Sequence, residues 1–270
     1  MNLPIITLTS DLGATDHYVA ALKGGLLCRT QAFQWIDISN QIRPFDVFTG
    51  AHVLNEAYRF FPPGSLHLLL IGNGESEGAN SYAPTANENI RLLIAKYREH
   101  YFISFDNGAL SLIFDDYPDQ LHALPIAKED YGNTFIALHI LPGLIAGMIA
   151  SGLRELPGTP TEKYVTRSFL SGFSDKDSIR GVITHIDYFG NAISDLHREQ
   201  FLLAAAGRKA SVIHKKTVFS EILKSFAQQT RGREIALFNS LGYLELCVKD
   251  GSAEEMLGIR KNDSFIIQFT

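Results

Sequence analysis

The feature that most constrains how this chain can fold is the regular exchange of strand-like and helix-like runs along its N-terminal half. Residues Pro4 to Thr9 (PIITLT) form a β-rich apolar run that ends in Ser10-Asp11-Leu12-Gly13. Asp16 then stands where a helix N-cap is expected, ahead of HYVAALKGGLL. The alternation repeats with a strand-like Phe33 to Ile38, a helix from about Asp46 to Phe61, the turn Pro62-Pro63-Gly64-Ser65 and a strand-like Leu66 to Ile71. Elements of this length in this order predict helices packed on a mainly parallel sheet. Arg91 to Tyr97 and Tyr101 to Phe105 read as two strands around a short turn. The tight Asp106-Asn107-Gly108 follows, then a short helix, and a buried helix over Phe135 to Ser151 closes this half.

The pattern changes after Leu153. A stretch carrying Pro157, Gly158 and Pro160 leads into short strands, RGVITHID, AISDL, KASVIHK, EIALFNS, YLELCVK and DSFIIQF, separated by Gly, Asn and Asp turns. That spacing predicts a small barrel or sandwich. The fold class expected is therefore α/β, an N-terminal α/β sandwich with a mainly parallel sheet followed by a smaller, mostly-β barrel. The boundaries are 1–165 for the first domain, 166–178 for a linker and 179–270 for the second domain.

Bulk properties exclude several classes of function. With 46% hydrophobic residues the 270-residue chain has material for a sizeable core. A net charge of -5 offers no basic footprint for nucleic acid or an acidic membrane face. Phe135 to Ala150, the most apolar stretch, is interrupted by His139 and Pro142 and falls short of the ~20 residues that span a bilayer. Cys28 and Cys247 are far apart and have no CxxC neighbour, so neither a disulfide framework nor a thiolate metal site is expected. The first residues lack the basic and apolar regions of a signal peptide, so a cytoplasmic location is expected. The histidines show no HExxH-like spacing, and Gly72-Asn73-Gly74 lacks the ending of a phosphate loop. No metal and no separate cofactor are expected.

Chemistry concentrates at a few positions. A carboxylate just after a strand, at the carboxyl edge of an α/β sheet, sits where such folds bind ligands. Asp11 is placed there, and its two acceptor oxygens match a pair of adjacent ribose hydroxyls. Asp is also a common turn residue, so a cap for the turn is the other reading. The long Gly72 to Asn89 segment, rich in Gly, Ser, Asn, Pro and Glu, is expected near the site, as long loops in compact domains often are.

A series of segments resembles, in order, the S-adenosylmethionine (SAM) hydroxide adenosyltransferase and fluorinase family. They are Ser10-Asp11-Leu12-Gly13, Asp16-His17-Tyr18-Val19, Lys23-Gly24, Arg43-Pro44-Phe45-Asp46-Val47, Phe60-Phe61-Pro62-Pro63-Gly64-Ser65, Asp106-Asn107-Gly108 and Thr134-Phe135. Ile186-Asp187, Phe189-Gly190-Asn191, Asn239-Ser240-Leu241-Gly242-Tyr243-Leu244-Glu245 and Gly251-Ser252-Ala253 continue the series nearly to the end of the chain. The resemblance implies an α/β domain, a β barrel, and a homotrimer that binds SAM between the first domain of one subunit and the second domain of its neighbour. Carried over, Asp11 holds the ribose hydroxyls, Phe45 and Phe135 wall the sugar and sulfonium, and Phe189, Asn191 and Phe219 frame the adenine. Asp187 and Ser240 bind the methionine end. Aromatic faces suit a cationic sulfonium or a flat base, and Asn can donate to and accept from an adenine edge. Taken without the resemblance, Phe45, Phe135 and Phe219 read equally as core residues, Asn191 as a turn residue and Ser240 as a strand-end cap.

The reaction expected from the resemblance is hydrolysis of SAM to adenosine and L-methionine by water attack at the ribose C5′, with an Asp, Arg and His set activating the water. Here the chain departs from the pattern. Gly72 stands where the Asp is expected and Ile136 where the His is expected, with His139 three residues further on. Arg91 matches the Arg, so Arg91 and His139 are the catalytic candidates, with Glu75 and Glu77 nearby in sequence. Ala137 replaces the small hydroxyl residue that holds a halide in halogenating members. The alternative function is a non-catalytic protein that binds SAM or adenosine.

Overall fold

The computed structural model describes residues 3–72, 90–127, 135–168 and 175–270. Of the expectations above, those on Glu75, Glu77 and Thr134 lie outside the described residues. The chain is mixed α/β and divides into two compact units, Met1–Arg167 and Ser168–Thr270.

In the first unit the order is β1 (Ile5–Ser10), α1 (Tyr18–Leu27), β2 (Gln34–Ser39), α2 (Val47–Tyr58), β3 (Leu66–Leu70), β4 (Arg91–Tyr97), β5 (His100–Phe105), β6 (Gln120–Pro125), α3 (Ile136–Ala150) and β7 (Thr159–Pro160). The seven strands form one sheet in the order β2-β1-β3-β5-β4-β6-β7. Strands β2, β1, β3 and β5 run parallel, and β4 opens an antiparallel edge. Why β3 is central can be read from LHLLL. Leu66, Leu68 and Leu70 enter one core and Leu69 enters the other, so both faces of the strand are covered. Strand β4 repeats the division, with Leu92 and Ile94 on one face and Leu93 and Ala95 on the other.

Helices α1 and α3 cover the Leu92 face, and α2 covers the Leu93 face. Gly25 of α1 admits Pro142 of α3; a Cβ there would lie 3.1 Å from the proline ring. Gly50 does the same for α2, since a Cβ would come within 2.6 Å of Ile71 Cγ1. Under α2 three buried polar side chains, Thr7, His67 and His100, join in a row. Thr7 Oγ1 meets His67 Nδ1 at 2.8 Å, and His67 Nε2 meets His100 Nδ1 at 3.1 Å. The Tyr58 ring packs edge-on to both imidazoles. Burial, with His100 adding to it, holds His67 down to about 3, so the ring is neutral at physiological pH.

Three local expectations are corrected. Helix α1 begins at Tyr18 with His17 as its cap and no capping side chain, so Asp16 does not cap it. Helix α2 ends at Tyr58 rather than near Phe61, although Asp46 caps its start by accepting from Thr49 N. Strand β6, whose short run follows Pro118 and ends on Pro125, was not anticipated.

The second unit contains β8 (Ser178–Ile186), β9 (Ala192–His197), α4 (Arg198–Ala205), β10 (Ala210–His214), β11 (Thr217–Phe219), β12 (Ile222–Leu223), β13 (Glu234–Phe238), β14 (Tyr243–Val248), α5 (Ala253–Met256) and β15 (Ser264–Phe269). Its eight strands curl into a near-barrel in the order β11-β10-β15-β8-β9-β14-β13-β12. Inward residues such as Ile183, Val212, Leu244, Leu246 and Phe265 fill it. Glycine is required at 181, where a Cβ would lie 2.2 Å from the Phe265 ring.

Candidate functional site

Strands β1 and β3 lie side by side, yet the chain leaves β1 for β2 on one flank and returns to β3 on the other. Their carboxyl ends therefore border a topological switch point, the usual place for a ligand crevice. Asp11 is the first residue after β1. Its Oδ2 accepts from Phe45 N at 2.8 Å and from Gly72 N at 3.0 Å. Among the described residues Oδ1 makes no hydrogen bond. One carboxylate oxygen is thus fixed by two loops, and the other is left for a hydroxyl.

The geometry that delivers the Phe45 amide is unusual. Phe45 has φ 65°, a left-handed conformation, and its ring is 58% exposed. That backbone costs a non-glycine residue of order 1–3 kcal/mol, and such strain gathers at ligand sites. A small cleft beside Asp11 is lined by Leu12, Gly72, Phe135, Ile136 and Ala137. Phe135 caps α3, and its ring stacks on Tyr18 with centroids 4.7 Å apart. Tyr18 was given no role from sequence. The available signal was its place at the first turn of α1, directly after the Asp11 loop.

In the second unit the turn between β8 and β9 is organised by Asp187. Its Oδ1 accepts from Phe189 N and Asn191 N, and its Oδ2 from Asn191 Nδ2 at 3.0 Å. Among the described residues Asn191 Oδ1 makes no hydrogen bond. The turn exposes Tyr188 (99%) and Phe189 (74%). Ser240 is exposed in the turn between β13 and β14. Phe219 stands apart from these residues: it is 2% exposed within the barrel core, so here it presents no face to a base. Glu245, the last residue of the segment from Asn239, was given no role from sequence; it is 7% exposed on β14. Burial raises its carboxyl above the ordinary range, against a hydrogen bond from Cys247 Sγ at 3.1 Å.

The sequence profile of the SAM hydroxide adenosyltransferase N-terminal domain matches residues 6–154, and that of the C-terminal domain matches residues 181–266. This chain belongs to the SAM hydroxide adenosyltransferase family. A (R)-S-adenosyl-L-methionine hydrolase of Methanocaldococcus jannaschii is 26% identical, with 95% of this chain and 93% of that one covered. A fluorinase of an Actinoplanes species is 24% identical over 90% of each chain. The crystal structure of an uncharacterized conserved protein from Thermotoga maritima shares the fold, with a TM-score of 0.77 at 22% identity, covering 98% of this chain and 99% of that one.

Gly72, Ile136 and Ala137 all face the cleft beside Asp11, so the positions expected to carry Asp, His and a hydroxyl contribute no ionisable group. Nor do the two catalytic candidates from sequence come together. Arg91 shares the sheet face of Leu93 and Ala95. Its guanidinium is held by Asp106 at 2.6 Å and by the Lys163 carbonyl at 2.8 Å. Asp106 in turn accepts from Val165 N. His139 is exposed on α3, which packs on the opposite face. The two candidates therefore lie on opposite faces of the sheet, because the alternation of β4 sends Arg91 away from α3.

Proposed function

We propose that this protein binds SAM and hydrolyses it to adenosine and L-methionine. Water attacks the ribose C5′, the C5′–sulfur bond breaks with its electrons passing to sulfur, and the attacking water releases a proton to solvent. The observation that carries the reading is Asp11 beside the cleft, with Oδ2 fixed by two amides and Oδ1 without a partner among the described residues. In this reading Asp11 holds the ribose hydroxyls, Phe45 and Phe135 flank the sugar and sulfonium, and Asn191 and Phe189 meet the adenine. Asp187 and Ser240 meet the methionine end. A sulfonium is already a good leaving group, so alignment of one water in an apolar cleft supplies the acceleration. Homotrimeric assembly in the cytoplasm, without nucleic acid or membrane partners, belongs to the same proposal.

A second reading, a non-catalytic SAM or adenosine binder, is favoured by the engagement of Arg91 with Asp106 and by the unionisable cleft. Incubation with SAM between pH 6 and 9, followed by chromatography, separates the two. Adenosine and methionine above the no-protein background, abolished in Asp11→Ala, support hydrolysis. Calorimetric binding of SAM without products supports the binder, and no heat from SAM or adenosine refutes both.

A further inference from the structure

The peptide that brings the Gly72 amide to Asp11 is held at both of its ends. Gly72 N donates to Asp11 Oδ2 at 3.0 Å, and the oxygen of the same peptide unit, that of Ile71, accepts from Asn107 Nδ2 at 3.0 Å. A planar trans peptide points its N–H and its C=O in opposite directions, so a donor that fixes the oxygen also fixes the aim of the amide. Asn107 is itself tied at each polar group. Its Oδ1 accepts from Ala109 N at 3.1 Å, which leaves the NH2 side of the amide for Ile71. Its main-chain N donates to Phe105 O at 2.9 Å, and its main-chain O accepts from Arg167 Nε at 2.6 Å. Arg167 is closely seated there, since a Cβ on Gly108 would lie 2.5 Å from its Cγ. The reading above gives Asn107 no role.

The clamp matters because of the residue that stands at 72. Gly72 has φ 69°, in the left-handed region that glycine enters without strain, and the same freedom lets the peptide before it rotate. With no partner for the Ile71 oxygen, the Gly72 amide would swing away and Asp11 Oδ2 would keep the Phe45 amide alone. A carboxylate has a broad terminal torsion, and with one amide on one oxygen its Oδ1 loses its direction. A donor on the Ile71 carbonyl also polarises the peptide and strengthens its N–H toward Asp11. We infer that Asn107 is a positioning residue for Asp11, setting through the Ile71–Gly72 peptide the direction in which the carboxylate meets the ribose hydroxyls. The inference rests on the reading of Asp11 as the ribose anchor.

The decisive experiment couples a change at Asn107 to removal of the hydroxyls. Asn107→Ser keeps an oxygen for Ala109 N but is too short to reach Ile71 O, and Asn107→Asp keeps the acceptor while setting a carboxylate oxygen against the Ile71 carbonyl. Calorimetric affinities for adenosine and for its dideoxy analogue, which lacks both ribose hydroxyls, are compared in the wild type and the two variants, with thermal unfolding as the check on folding. Both variants are expected to weaken adenosine by about three- to tenfold, the scale of one hydrogen bond, and to leave the dideoxy analogue within about twofold. In an Asp11→Ala background, Asn107→Ser should change neither affinity by more than about twofold, because the carboxylate it acts on is gone. Unchanged adenosine affinity, equal losses for the two nucleosides, the same adenosine loss without Asp11, or failure of both variants to fold overturns the inference while leaving the ligand in place. A wild-type protein that binds the two nucleosides equally removes Asp11 as the ribose anchor, and this inference with it. One that binds neither SAM nor adenosine overturns both the functional reading and the inference.

Discussion

Acidification tests the buried imidazole pair under α2. Folded His67 takes up a proton only near pH 3, whereas in the unfolded chain it does so near 6.5. Between those values the unfolded state binds the extra proton. The contribution of His67 to stability is therefore complete above pH 6.5 and is lost as pH falls. From pH 6.5 to 4.5 the loss is roughly 2.7 kcal/mol, two pH units at about 1.4 kcal/mol each. Glu56 acts in the opposite sense over part of this range. Burial pushes its carboxyl up to about 7, with Arg59 opposing, so its contribution is present below pH 4.5 and fades as pH rises through 7. The wild-type curve alone can thus look flat between pH 4.5 and 6.5, and the difference from a His67→Gln variant isolates the imidazole. Urea unfolding can be followed through Trp35, the single tryptophan, which pairs with β1 in the same unit. The wild-type advantage should shrink by roughly 2.7 kcal/mol over those two pH units, a relative midpoint shift of about 1 M urea. A difference that is constant to within about 0.5 kcal/mol would refute the assignment of His67 as a neutral, buried base.

Three further outcomes are expected. Glu56→Gln should stabilise the first unit by about 1–2 kcal/mol at pH 8, after discounting for partial exposure, and do little at pH 5; equal effects at both pH values in urea unfolding would contradict the sign. Gly50→Ala should lower stability by about 1–3 kcal/mol despite better helix propensity, because the new methyl meets Ile71; a rise in Tm would show that α2 can shift freely. Arg91→Ala should cost about 2–3 kcal/mol, less than a fully buried pair because the Arg91 side chain is 31% exposed while Asp106 is only 6% exposed. A thermal unfolding curve unchanged by the substitution would mean that the ion pair is idle.

Much of the fold was legible because the strands of the first sheet, parallel and antiparallel alike, are written in apolar runs. PIITLT, the Leu66 to Ile71 run and Arg91 to Tyr97 each send alternate residues into one of two cores, and the helices between them have lengths that only a crossover connection explains. What escaped was local. Strand β6 is an antiparallel edge addition made by pairing with β4, a tertiary event with no strong signal of its own. The start of α1 moved past Asp16 because a residue type favoured at caps takes that role only if the backbone turns there.

The site was legible in a different way. Asp11 and Asp187 stand in turns, as read from sequence, and both spend carboxylate oxygens on backbone amides that local geometry brings to them. Positions whose role depends on direction could not be placed in this way. Arg91 is correct in sequence order, but strand parity turns it toward Asp106, and no count of residues along the chain reveals which face a strand-end side chain takes when the pairing register is unknown. Phe219 is subject to the same rule: it stands on a three-residue strand whose register with β10 places the ring inside the barrel core. The positions that best separate hydrolysis from binding are accordingly those that line the Asp11 cleft. Restoring an ionisable side chain there by Ile136→His tests whether this scaffold still aligns water at C5′: faster release of adenosine than from the wild type is expected if alignment is intact, and unchanged product formation with SAM binding retained argues that the cleft now serves binding alone.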